Sequence, residues 1–78
     1  MTRFDKIEKH CRLTGRTDLE YVYEIAKNFC VGYSNKTKGY EAYTIDDKRL
    51  GGGVYYEQAE DIFNNYWNDL VKKMKEVK

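Results

Sequence analysis

The chain has no proline, a single histidine and two cysteines among its 78 residues. Without proline, no helix or strand is interrupted by a ring that cannot donate a hydrogen bond. No internal repeat, low-complexity tract or linker divides the sequence, so residues 1–78 read as one domain. Cys11 and Cys30 are too few for a disulfide framework, and the N-terminal stretch lacks the apolar core of a secretory signal. A reducing, cytoplasmic setting is therefore expected. Apolar runs extend over only a few residues, far short of the ~20 needed to cross a bilayer.

These scarcities also empty the catalytic inventory. His10 and Cys11 are neighbours on a predicted helix, where successive side chains diverge by about 100°, so they do not form a dyad. Cys11 reads as a small core residue and His10 as solvated beside it. His10, Cys11 and Cys30 match no zinc spacing, and neither Asp46-Asp47 nor Glu60-Asp61 has the spacing of a calcium loop. No catalytic residue, cofactor or metal is assigned. Lys and Arg number 14 against 13 Asp and Glu, a net charge of +1, which lacks the field of a dedicated nucleic-acid binder.

Aromatic residues, by contrast, are abundant: eight tyrosines, three phenylalanines and one tryptophan. A small core can absorb many of them, and those left over supply contact surface, because a tyrosine ring is apolar and its tip polar.

The periodicity predicts four elements. Thr2 to Leu13 forms a first helix, with Thr2 and Asp5 as a capping box, Phe4, Ile7 and Cys11 on one face, and Gly15 as the stop. A second helix starts at Thr17 with another capping box, Thr17-Asp18-Leu19-Glu20, and carries Leu19, Val22, Tyr23, Ala26 and Cys30 at helical spacing. A strand over Leu19 to Ile25 competes, because Tyr21, Tyr23 and Ile25 also alternate. Phe29 to Tyr33 and Tyr40 to Ile45, joined by Ser34-Asn35-Lys36-Thr37-Lys38-Gly39, read as a β-hairpin, and Asp46-Asp47 as the next turn. Gly51-Gly52-Gly53 reads as a flexible joint. A long helix follows from Tyr56 to Glu76, with Ala59, Ile62, Phe63, Tyr66, Trp67, Leu70, Val71, Met74 and Val77 in one apolar stripe. Its Glu57, Glu60 and Asp61 lie early and its Lys72, Lys73, Lys75 and Lys78 late, each opposing the helix dipole.

The expected fold is a small α+β domain, helix-helix-hairpin-helix, with the long C-terminal helix packed on the sheet. Two strands alone are marginal in water. Either Leu19 to Ile25 supplies a third strand, or the hairpin leans on the helices or on a second copy of the chain, which makes a homodimer a candidate state.

The leading functional expectation is a non-enzymatic protein that engages a protein partner through the hairpin and nearby loops, with Tyr33, Lys36, Lys38, Tyr40, Tyr43, Lys48 and Arg49 as the contact residues. A short, proline-free, tyrosine-rich chain of mixed charge is similar to many small phage or mobile-element proteins that bind and modulate, often inhibit, a host macromolecule. The likeness is one of size and composition, not of motif.

Nucleic-acid binding is the alternative. Over residues 1 to 16, Arg3, Lys6, Lys9, Arg12 and Arg16 stand against Asp5 and Glu8, and the hairpin zone adds Lys27, Lys36, Lys38, Lys48 and Arg49 against Glu41, Asp46 and Asp47, with Tyr33, Tyr40 and Tyr43 interleaved as base-stacking candidates. Helix, turn, helix, hairpin is also how a winged helix-turn-helix begins. The helix that would read DNA, however, carries Asp18, Glu20 and Glu24 against Lys27 alone. A third reading seats a nucleotide-like ligand at Gly51 to Tyr56, with Tyr55 or Tyr56 stacking a base, although Glu57, Glu60 and Asp61 would repel its phosphate.

Overall fold

A computed structural model describes residues 2–76. Val77 and Lys78, and the side chain of Lys75, lie outside the described residues, so the last steps of the predicted stripe and lysine cluster are not placed.

Helix α1 spans Arg3–Thr14. Its start is the expected capping box: the Thr2 hydroxyl accepts from the Asp5 amide and the Asp5 carboxylate accepts from the Thr2 amide, both at 3.2 Å. Gly15, at φ 70°, closes it in the left-handed conformation. Ile7 and Cys11 are buried, but Phe4 is half exposed. It sits a turn too early to reach the core that Ile7 meets.

Helix α2 spans Leu19–Cys30, which decides the second element as a helix and not a strand. Its N-cap is Asp18, not Thr17: the Asp18 carboxylate accepts the Tyr21 amide at 3.2 Å. The Arg16 guanidinium grips the same carboxylate through Nε and Nη2 and holds its pKa below the usual range, with the Tyr21 amide adding to the effect.

Strand β1 (Val31–Ser34) follows α2 without an intervening residue, and β2 (Gly39–Tyr43) returns after a four-residue turn. Lys38 occupies the left-handed region at φ 57°, where Gly or Asn would be usual. A third strand exists, but it is β3, Arg49–Gly53, and not residues 19–25. The sheet is antiparallel in the order β1-β2-β3. A bulge between Ala42 and Tyr43 leaves Leu50 as the extra residue, since Ala42 faces Gly51 and Tyr43 faces Arg49.

The three glycines therefore form an edge strand and not a joint. A Cβ on Gly52 would collide with the Tyr40 carbonyl oxygen, and one on Gly53 with the Gln58 side chain. Close approach of the β2 backbone at Gly52 and of α3 side chains at Gly51 and Gly53, and not flexibility, is what favours glycine here. The third strand also removes the physical reason for expecting a second copy to prop up a two-stranded sheet.

Helix α3, Tyr56–Glu76, lies across one face of the sheet. Ala59, Phe63 and Trp67, at four-residue steps, are buried against Val31 and Ala42, flanked by Ile62, Tyr66, Leu70 and Val71. Phe63 is fully buried and contributes roughly 2–3 kcal/mol by transfer alone. Met74 is mostly exposed, so the stripe outruns the body it packs on. Among the described residues no helix is long and apolar enough to cross a membrane.

Candidate binding surfaces

Because side chains alternate across a strand, the hairpin tyrosines part company. Tyr40 points to the α3 side of the sheet with buried Ala42, whereas Glu41 and Tyr43 point to the other side. Tyr33 stands directly opposite Tyr40.

Three rings come together on the α3 side. Tyr33 and Tyr40 meet edge-on with centroids 5.4 Å apart, and Tyr40 meets Tyr56 of α3 at 5.5 Å and 89°. Edge-to-face contacts of this kind suit the ring quadrupole. The ladder runs from the edge of β1, across β2, to the first residue of α3. Its outer members are Tyr33, 56% exposed, and Tyr56, 37% exposed; beside it Val54 and Tyr55, between β3 and α3, are 69% and 71% exposed. Val54 and Lys38 line one hollow of about 280 Å³ at this end of the sheet. Lys36 and Lys38, in the turn, make no ion pair among the described residues.

On the opposite face, Arg49 Nε donates to Glu41 Oε1 at 2.8 Å and the Tyr43 hydroxyl donates to Glu41 Oε2 at 3.2 Å. The Arg49 hydrogen bond, aided by Tyr43, holds the Glu41 carboxyl below its ordinary range despite burial. The Arg3 guanidinium lies 4.2 Å over the Tyr43 ring while donating to Asp47 and to the Phe29 carbonyl. Tyr43 and Arg49 are thus occupied in tying strands and α1 together. Lys48 lies at the β2–β3 turn beside Asp46, 3.8 Å away.

The seven residues expected at one contact patch therefore divide. Tyr33, Lys36, Lys38 and Tyr40 share the hairpin end with Tyr55, Tyr56 and Val54; Arg49 reaches the hollow lined by Lys38 and Val54 but is bound to Glu41, whereas Tyr43 and Lys48 do not join them. In the sequence, Tyr55 and Tyr56 stand out as base-stacking candidates and Tyr56 also as the start of the long helix, whereas Val54 has no evident role. The usable signal was that Val54-Tyr55 precede the helix and are not needed by its apolar stripe.

The other two expectations meet specific geometry. At the start of α3 the Tyr55 amide, which a phosphate would need, already donates to Gln58 Oε1 at 3.0 Å, and Glu57 stands in the first turn. Arg3, Arg12 and Arg16 of the basic N-terminal region each face a carboxylate: Asp47 at 2.8 Å, Glu8 at 3.2 Å and Asp18 at 3.2 Å. Each arginine must therefore share its charge between that carboxylate and any phosphate. Among the described residues, no three His, Cys, Asp or Glu side chains converge as a metal site requires.

Compared with family models, with curated proteins and with solved structures, the chain matches none.

Proposed function

We propose that the chain is a non-enzymatic binding protein that engages a protein partner through the hairpin end of its sheet, with Tyr33, Tyr55 and Val54 as apolar anchors and Lys36 and Lys38 as a charged rim. The observation that carries this reading is the aromatic ladder Tyr33-Tyr40-Tyr56, whose inner ring is held on both sides while the outer residues are exposed. Tyr33, pre-set by its contact with Tyr40, loses little conformational freedom on binding, which is what an anchor residue needs. Modulation or inhibition of the partner rests on the likeness in composition alone. Nucleic acid is the less favoured class, because the arginines of α1 and of the α1–α2 turn are paired with acids.

A photo-crosslinking residue placed at Tyr55 and irradiated in the native host tests this directly. A discrete protein adduct is expected, unaffected by nuclease and absent when the crosslinker sits at Lys9. An adduct that disappears on nuclease treatment, or none above the Lys9 control, overturns the assignment.

A further inference from the structure

We propose a second recognition site, in the cleft between α2 and α3: a seat for the guanidinium of an arginine side chain presented by a protein partner. The cleft, of about 420 Å³, is lined by Leu19, Glu20 and Tyr23 of α2 and by Asn64, Trp67 and Asn68 of α3. The spacing puts each trio on one helical face. It lies about 16 Å along α3 from Tyr56 and does not depend on the reading of the aromatic end.

Its walls are chemically specific. The Tyr23 and Trp67 rings meet at 5.9 Å and 58°, and the Tyr23 hydroxyl donates to Asn64 Oδ1, fixing that amide. Glu20 is the one charged residue in the lining, and it makes no ion pair among the described residues. An anion would be repelled there, and a purely apolar side chain would desolvate Glu20 and the two asparagines without replacing their hydrogen bonds.

The same helix shows what such surroundings hold. The Arg16 guanidinium lies 4.3 Å over the Tyr21 ring and is gripped by the Asp18 carboxylate. The Lys27 ammonium lies 5.2 Å from the Tyr23 ring centroid, beside Glu60 at 3.4 Å and Glu24 at 3.7 Å. Each arrangement joins a ring, a cation and a carboxylate. Tyr23 already carries Lys27, so the cleft itself supplies the Trp67 ring and the Glu20 carboxylate, and the cation comes from outside the chain.

A guanidinium suits it better than an ammonium. It is planar, so it stacks, its fork of donors reaches a carboxylate and an amide oxygen together, and its methylene stem can lie along Leu19. Arg16, also near Glu20 in the neighbouring hollow, is already committed to Asp18. Lys72 lines the adjoining hollow with Val71 and bounds the site on the far side.

Trp67 is the single tryptophan, so its indole resonance reports on the cleft. Titration of the full chain with acetyl-arginine amide, followed by NMR, should give saturable shifts of the Trp67 indole N–H and of the Asn64 and Asn68 side-chain amides. The acetyl-citrulline amide analogue, similar in shape but uncharged, should give none. Glu20→Gln, an exposed change in the first turn of α2 that should lower the melting temperature only slightly, should weaken arginine binding roughly three- to fivefold. Equal shifts with the citrulline compound, no saturable shift at these groups, or unchanged affinity in Glu20→Gln would each overturn the proposal. Tyr55→Ser and Glu57→Gln, at the aromatic end, should leave the titration unchanged, so this site and the aromatic contact surface can fail independently.

Discussion

Helices α1 and α3 both carry an amphipathic pattern and an acidic first turn, yet they are held in different ways. Helix α3 buries Ala59, Phe63 and Trp67 in the sheet-facing core. Helix α1 buries only Ile7 and Cys11, packs chiefly on α2, and is fastened to the rest by polar groups at its first turn. There the Phe4 amide donates to the Ile45 carbonyl at 2.9 Å, and Arg3 reaches Asp47, the Phe29 carbonyl and the Tyr43 ring. Apolar burial is non-directional and cooperative, whereas a polar clasp is directional, screened and sensitive to pH. The sheet and α3 should therefore open only with the whole domain, and α1 should open by itself.

Phe63→Ala puts the strongest test on the first half of that contrast. The ring packs with Tyr23, Tyr66 and Trp67 at centroid distances of 5.9–6.1 Å, and its loss should remove about 3–5 kcal/mol, most of what a domain this small possesses. Circular dichroism should show no cooperative melt. A cooperative transition within a few degrees of the parent would refute the ranking.

Gly52→Ala should follow, at about 1–3 kcal/mol, because the added carbon meets backbone of β2 that cannot move aside. Amide protection should fall in β2 and β3 while α1 is unchanged. Equal loss in α1 would mean that the two regions are one cooperative unit.

Arg3→Ala tests the clasp. Burial pushes the Cys30 thiol up to about 11, partly offset by nearby Arg3, and Cys11 is buried as well, so both should resist alkylation at neutral pH in the parent. Once α1 is unfastened, both thiols at the α1–α2 seam should react faster, with little change in the global melt. Unchanged alkylation would show that Ile7 and Cys11 hold α1 unaided.

The smallest effect expected is in pH. The Arg3 amide, then its guanidinium, holds the Asp47 carboxyl below its ordinary range. A native pKa below the unfolded value contributes stability that is present above about pH 4 and is lost as the pH falls through the lowered value. Asp47→Asn, which still tolerates the φ of 70° at this position, should flatten the acid side of the melting-temperature profile. A profile parallel to that of the parent would remove Asp47 from the clasp.

Legibility in the sequence followed the same division. The bounds of α3 could be read because Ala59, Ile62, Phe63, Tyr66, Trp67, Leu70 and Val71 repeat at one period over about three turns, and α1 because Thr2, Asp5 and Gly15 are local signals whose partners lie within a turn. β3 could not be read. Glycine runs ordinarily mean freedom, and here a Cβ on Gly52 would meet Tyr40, one on Gly53 Gln58 and one on Gly51 Ile62, contacts that only the fold assembles. The aromatic end was half legible: Tyr33 and Tyr40 stood out in the hairpin, but their union with Tyr56 spans residues that only packing joins.

What the sequence determined by itself was therefore the set of elements whose causes are local: α1 with its cap and stop, the extent of α3, and a tyrosine hairpin. Tertiary structure alone decided the third strand, the division of Tyr40 from Tyr43 onto opposite faces, and the cleft at Glu20 and Trp67. The reason is range. Capping and periodicity act within a turn or two of one helix, whereas strand pairing, face and cleft depend on residues that folding brings together from far apart in the chain.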